Sequence, residues 1–466
     1  MLRFFLVSLA LALVAQDRKD PFFFEKPYLQ LGDRPKNAIN EGLDLMWLGH
    51  DRADSWTVQY KTGSTWRPAV VKQLRRVDVD GTAPHRVFSA ALIDLKPGAL
   101  FFYKISVAGK TVFEASAHAR KSARDASHLV IFGDCAANTA GQRAIAYQVS
   151  LQKPDYIFIP GDIVYGKGRV SEYQRNFWPI YNSDRSDPLT GAPLLRSTLF
   201  TGVVGNHDSQ PQPDFTASAD LFGFYRYWSL PLNGPLLEVG GKNTPKFKGE
   251  EEVQQRFLAS TSLYPRMANY SFDYGNVHWT VIDSNPYVDF TDPALQAWIR
   301  NDLKASSKAK WRFVGFHHPP FNSSKAHFKE QRIRILASIF EEGKADLVIG
   351  GHVHNYQRTY PLKFVVEPGF VLGKNTEVPG KWTLDKFFDG DTHTKPNGPI
   401  YLITGAGGAG LYNPEQNGDP GSYQDFTAKF VSDTHSFTLI DATAKQLKVR
   451  QISAAGKELD RFTIDR

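Results

Sequence analysis

Five apolar runs in the chain each end at a turn that carries metal-capable side chains. FGDCAAN holds Asp134, PGDIVYG holds Asp162 and Tyr165, VGNHD holds Asn206 and His207, VGFHHPP holds His317, and GGHVHNYQR holds His352 and His354. Short buried runs bounded by glycine read as strands covered on both faces, and the loops beyond the carboxyl ends of such strands are where open α/β sheets build their sites. The pattern therefore calls for a sheet whose loops converge on one centre. Glycines before Asp134, Asp162, Asn206 and His352 are expected to let the backbone turn sharply and bring the next side chain inward. Carboxylate, amide oxygen, imidazole and phenolate are hard or borderline donors, suited to iron, manganese or zinc and not to copper(I).

The α/β rhythm begins after Ala123. Candidate strands are His128 to Phe132, Tyr156 to Ile159, Leu199 to Val204, His278 to Ile282, Arg312 to Phe316, Leu347 to Ile349 and Ile400 to Thr404. Candidate helices are Gly141 to Gln152, Ser171 to Ile180, Pro293 to Ala305 and Phe328 to Glu342, and the tail alternates as two strands, Ser436 to Ile440 and Gln446 to Ile452. Ser209 to Tyr264 is rich in Pro, Gly and Lys and reads as surface loops with one aromatic helix near Leu221 to Trp228. Before this region, short aromatic and β-branched segments from Pro27 to about Arg120 predict a β-sandwich. The stretch LKPGALFFYKISV resembles the turn and strand of a fibronectin type III module, with Tyr103 either capping the sheet corner or packing as an ordinary aromatic.

The 466 residues suffice for two or three domains, and 42% apolar with 22% charged residues is a globular mixture. Lys plus Arg (55) exceeds Asp plus Glu (48), but the cations are scattered. That favours small anionic partners weakly and supplies no basic, aromatic-interleaved stripe for nucleic acid. The single cysteine, Cys135, excludes a disulfide framework and a thiolate metal cluster; it reads as buried filler. Arg3 followed by the apolar Phe4 to Ala15 predicts a signal peptide over residues 1–16, too short for a stable membrane span, and hence a secreted, periplasmic or cell-envelope protein.

The five blocks, GD, GDxxY, GNHD, VxxH and GHxH, resemble the purple acid phosphatase branch of the metallophosphoesterases over Leu129 to about Gly408. The resemblance implies a fibronectin-like domain at 25–122 followed by a four-layer αββα metallophosphoesterase sandwich at 126–466. It also implies a dinuclear centre of Fe(III) with Fe(II), Zn(II) or Mn(II). By motif, Asp134, Asp162, Tyr165 and His354 would bind the first ion, and Asp162, Asn206, His317 and His352 the second, with Asp162 bridging. Tyr165 marks the purple branch, because a phenolate stabilises iron(III) and a trivalent ion acidifies bound water strongly. The implied activity is acid hydrolysis of small phosphate monoesters by a metal-bound hydroxide.

Two further histidines take roles from the resemblance. His207 would hydrogen-bond the phosphate or the attacking oxygen, and His327 sits where the family places a leaving-group histidine, with Ala326 where a second histidine often stands. Among the neighbours, His318 is expected to point away from the site by strand alternation, and Asp208 to support His207 or a nearby loop. Asp283 is expected at a strand-end turn, Arg358 against the site or a carboxylate, and Gly405 to Gly410 in a tight loop without P-loop chemistry. Asn269 and Asn322 head N-glycosylation sequons. The competing functions are a phosphodiesterase or nucleotide hydrolase on the same dimetal core, and a binding protein with an inactive phosphatase domain.

Overall fold

The computed structural model describes residues 20–261, 263–373 and 376–466. The expected signal at 1–16 lies outside them. Residues 23–118 form two four-stranded antiparallel sheets. One runs in the order Phe23–Gln30, Glu41–His50, His85–Leu95, Val71–Val77, the other Arg67–Ala69, Trp56–Lys61, Leu100–Val107, Lys110–His118. Alternation sets the inner face: Trp56, Val58 and Tyr60 are buried while Thr57 is exposed. Trp56 meets Phe23 at 5.2 Å and Trp47 at 5.7 Å between ring centroids, so one aromatic layer joins the two sheets. Tyr103 does not turn back to its own sheet corner; it is buried, and its hydroxyl donates to the carbonyl of Arg196 at 2.8 Å, outside the sandwich.

Two larger mixed sheets follow. The first runs Leu199–Val203, Tyr156–Pro160, Ser127–Ile131, Ser436–Ala442, Gln446–Ser453, Glu458–Asp465, its first three strands parallel. The second runs Tyr270–Tyr274, Val277–Val281, Trp311–Gly315, Leu347–Gly350, Ile400–Thr404, Tyr356–Thr359, Thr427–Val431, with four parallel strands from Val277–Val281 to Ile400–Thr404. The sheets pack face to face: Phe158 stacks on Trp279 and Tyr156 on Tyr274, each at 4.2 Å. Helix Ala140–Gln152, capped by Thr139, buries Ile145, Ala146 and Val149 beside the first sheet. Helix Pro293–Ala305, capped by Asp292, packs Leu295, Ile299 and Leu303 with Val314, Phe316 and Val348 on the outer face of the second. The expected four-layer αββα sandwich is the observed fold.

Several elements differ from expectation. The run 328–331 is not helical; a 3₁₀ turn starts at Arg332 and the α-helix spans only Ala337–Glu342. The tail carries a third strand, Glu458–Asp465. The 209–264 insertion is not merely surface loop. Besides the expected helix, Gly223–Tyr227, it contains Glu251–Ser260, and Phe215, Phe222, Phe247, Phe257 and Tyr264 form an aromatic cluster of their own. Arg75 of the sandwich holds the insertion through the carbonyls of Tyr225 at 2.9 Å and Arg226 at 2.6 Å. Asn269 and Asn322 are buried, which removes both sequons from the folded surface. No helix among the described residues is long and apolar enough to cross a membrane.

Candidate metal centre

The carboxyl ends of parallel strands from both sheets meet at one edge. Ser127–Ile131 leads to Asp134, Tyr156–Pro160 to Asp162 and Tyr165, Leu199–Val203 to Asn206 and His207, Trp311–Gly315 to His317, and Leu347–Gly350 to His352 and His354. The sharp turns arise differently from expectation. Of the four glycines that precede these blocks, only Gly161 takes the left-handed conformation (φ 81°); Asp134 (56°), Asp162 (45°) and His352 (68°) adopt it themselves. A non-glycine residue there costs about 1–2 kcal/mol and is a mark of functional sites. Close approach accounts for Gly351, where a β-carbon would stand 2.6 Å from Asp134 Oδ2 and from the Pro160 carbonyl.

The structure brings all seven expected ligands together. Carboxylate and imidazole atoms of Asp134, Asp162 and His354 lie within 4.8 Å of one another, as do those of His317, His318 and His352. Tyr165 Oη stands 2.9 Å from His354 Nε2 and 3.2 Å from Asp134 Oδ1. Asp162 joins the groups, its Oδ1 3.3 Å from His317 Nε2, while Asn206 Oδ1 is 3.0 Å from the same nitrogen. The imidazoles are aimed by backbone: His317 Nδ1 donates to the Pro160 carbonyl at 2.9 Å, and His354 Nδ1 to the Gly410 carbonyl at 2.6 Å. Each therefore turns Nε2 inward. His352 is reversed: Nε2 bonds Glu330 Oε2 at 2.9 Å, which leaves Nδ1 for an ion.

The donor set fits a cation. His317 Nε2 faces two oxygens that only accept, and two buried carboxylates share the centre with a phenol. Burial and the charges of Asp134 and Asp162 push Tyr165 well above its ordinary 10.0, so a phenolate there requires strong positive charge beside it. Burial pulls His317 down, but Asp162 and Asp134 outweigh it and raise the ring to about 9.

His207 lies at the mouth, a third exposed; its backbone N–H donates to Asp162 Oδ1 at 2.9 Å and its Nδ1 to the Gly166 carbonyl at 2.7 Å. His327 stands beside His352, with their rings 4.0 Å apart. Asp208 supports not His207 but nearby loops, the other role expected of it. It accepts from the amides of Gly205 at 2.9 Å and Ile163 at 3.0 Å, tying two ligand loops, and burial with the Asp162 charge pushes it up to about 8. His318 does not point away either: the strand ends at Gly315, so alternation does not reach it, and its ring lies 4.4 Å from His352 with Nδ1 3.0 Å from Ser284 Oγ. Burial drives it well below 6.5 and keeps it neutral. Asp283, raised by burial to about 6, accepts from the Tyr287 hydroxyl at 2.6 Å and from the Asn285 side chain at 2.8 Å. Arg358 meets a carboxylate, Asp460, at 2.7 Å. Cys135 is buried, its thiol pushed up by burial. The Gly405–Gly410 loop packs beneath the centre, with Ala409 N donating to the Asp134 carbonyl at 2.8 Å.

Two residues at the centre were not expected. Tyr412 stacks on His354 at 3.9 Å and 8° and reaches toward His327 at 5.5 Å; nothing in its local sequence signals this. Glu330 bonds both His327 and His352; its i+3 spacing from His327 was a readable sign.

Residues 127–356 match the family described as calcineurin-like phosphoesterase. Among curated proteins, the chain is 28% identical over 249 residues to a phosphoenolpyruvate phosphatase of Allium cepa, covering 50% of this chain and 42% of that one. It is 29% identical over 274 residues to purple acid phosphatase 23 of Arabidopsis thaliana, covering 55% and 47%. The chain thus spans less than half the length of these relatives. Among solved structures, purple acid phosphatase PPD1 from yellow lupin (Lupinus luteus) seeds aligns with a TM-score of 0.64 at 17% identity, over 94% of this chain and 74% of that one. A structure of PhoD aligns at 0.57 and 12% identity, over 96% and 91%. At these identities the structures show a shared fold.

Proposed function

We propose that this chain, whose residues 127–356 are a calcineurin-like phosphoesterase domain, is a dinuclear metal-dependent acid phosphatase of the purple type acting on phosphate monoesters. The observation that carries the reading is Tyr165, with its hydroxyl against His354 and Asp134 among buried carboxylates. Asp134, Asp162, Tyr165 and His354 would hold iron(III), and Asp162, Asn206, His317 and His352 an iron(II), zinc or manganese ion. Bound there, the pair supplies charge neutralisation for the phosphoryl oxygens and an activated water at acid pH. His207, at the mouth with Nε2 3.9 Å from Asp162 Oδ2, would hydrogen-bond a phosphoryl oxygen. His327, its ring 4.0 Å from that of His352, would give a proton to the departing alcohol. The names of the onion and Arabidopsis relatives support phosphatase chemistry, and the apolar Phe4 to Ala15 stretch supports export.

Metal analysis with a visible spectrum tests the reading. Iron at up to one or two ions per chain and a tyrosinate-to-iron absorption band that vanishes in Tyr165→Phe are expected. A protein without iron, or a band that survives in Tyr165→Phe, overturns the purple assignment. A panel of mono- and diesters between about pH 4 and 8 ranks the rival phosphodiesterase, which equal diester rates would favour.

A further inference from the structure

A carboxylate couples the two sides of the centre. Glu330 Oε1 accepts from His327 Nδ1 at 2.7 Å, and its Oε2 accepts from His352 Nε2 at 2.9 Å. The loop that carries them is built rather than loose. His327 takes a left-handed backbone (φ 57°), and Glu330 N closes the turn onto the His327 carbonyl at 3.1 Å. Asn413 Oδ1 accepts from Ala326 N at 2.9 Å, and Asn322 Nδ2 donates to the Ala326 carbonyl at 2.8 Å. With Nδ1 engaged, Nε2 is the His327 nitrogen left for proton transfer. Beside this pair opens a cavity of about 570 Å³ lined by Ser324, Lys325, His327, Lys329, Glu330 and Gln416. It has room for a group the size of an ester's alcohol portion, next to His327.

We propose that Glu330 is a positioning residue for leaving-group departure: it holds His327 with Nε2 presented to the ester oxygen of a substrate whose alcohol portion occupies this cavity. The inference rests on the phosphatase reading. In the step it serves, the bond from phosphorus to the ester oxygen breaks and its electron pair stays on that oxygen. The oxygen takes the His327 Nε2 proton and leaves as the alcohol; a water oxygen forms the new bond to phosphorus, and the proton that water releases restores His327. The Glu330 carboxylate keeps its place throughout, holding the ring in one orientation through Nδ1.

The test compares metal-loaded full-length protein, Glu330→Gln, His327→Ala and the double variant on 2,4-dinitrophenyl phosphate, whose leaving group needs no proton, and phenyl phosphate, whose leaving group does. General-acid assistance contributes about 10²–10⁴-fold. Glu330→Gln should therefore lose at least about tenfold more kcat on phenyl phosphate than on the dinitrophenyl ester, with KM little changed. The double variant should match His327→Ala on both esters. Equal losses on the two esters together with reduced metal content by mass spectrometry would show that Glu330 merely props His352, and would overturn the proposal. So would additive losses in the double variant. A wild-type protein inert toward both esters refutes the phosphatase reading itself and this inference with it.

Discussion

Gly351→Ala tests how tightly the strand-end loops are packed around the centre. A β-carbon at 351 would lie 2.6 Å from Asp134 Oδ2, 2.6 Å from the Pro160 carbonyl oxygen and 3.3 Å from His317 Nδ1, whereas ordinary contact begins at 3.4 Å. Something must therefore give by roughly 0.8 Å, and each neighbour has a task. Asp134 Oδ2 accepts the His352 N–H at 2.8 Å, and the Pro160 carbonyl aims His317. Neither can retreat freely. Asp134 is held by its own N–H on Gly161 and by Ala409 on its carbonyl, while Gly351 N is bonded to the His317 carbonyl at 2.9 Å. A misplacement near 1 Å costs on the order of 10²-fold in rate. Disturbing groups that orient metal ligands typically costs about 10–100-fold in metal affinity. Gly351→Ala should then fold cooperatively, bind metal about 10–100-fold more weakly and lose roughly 10²-fold in kcat on p-nitrophenyl phosphate. Gly63→Ala, whose β-carbon meets nothing within 4 Å, is the control. A Gly351→Ala protein with the metal affinity and kcat of the control would refute the argument that close approach of these loops sets the site.

Two further outcomes concern the scaffold. Arg120 and Glu41 form a fully buried pair at 2.8 Å, and Arg120 also donates to the carbonyls of Arg34, Lys36 and Asp273, so one guanidinium joins the sandwich to the second large sheet. Glu41→Gln strands that charge and should lower unfolding free energy by about 3–5 kcal/mol in urea titration; a change below about 1 kcal/mol would show the carbonyls alone suffice. His278 is buried between Asp273 at 2.6 Å and Asp302 at 3.0 Å, with Ser271 and Thr280 also on Asp302 and Lys36 3.7 Å from Asp273. Burial pulls its pKa down, but the two carboxylates prevail and raise it. A raised pKa stabilises the fold fully below the unfolded value of about 6.5 and loses that contribution as pH rises through the folded value. The stability gap between wild type and His278→Gln should thus widen from pH 9 to pH 5, and a gap independent of pH would refute the linkage.

The core strands of the two large sheets were legible because each is a continuous apolar run covered on both faces. Tyr156 to Ile159 and Ile400 to Thr404 match the observed strands to within a residue. Val71–Val77 was not legible. It is an edge strand whose Lys72, Arg75 and Arg76 break the apolar pattern, as edge strands must to avoid pairing with another chain. The core of the 209–264 insertion was hidden for a different reason. Phe215, Phe222, Phe247, Phe257 and Tyr264 follow no helical or strand period, and become a cluster only once the intervening loops have folded.

The same distinction governs the centre. Asp134, Asp162, Asn206, His317 and His352 could be read from the sequence as a set, because each follows its own strand by a turn and the five turns recur along the chain. What the turns do could not be read that way. The sequence places a glycine beside the ligand, yet Asp134, Asp162 and His352 carry the left-handed backbone, and glycine is required at 351 because a neighbouring loop comes too near for a methyl group. Asp208, expected to serve either His207 or a nearby loop, takes the loop role, and that it binds amides of two loops at once shows only in the fold. Glu330 acts on His327 within its own turn and on His352 from another strand end. Ligand chemistry is a property of single side chains and survives in a linear reading. Ligand orientation is a property of loop pairs, so the residues that set it emerge only where two strand ends are seen together.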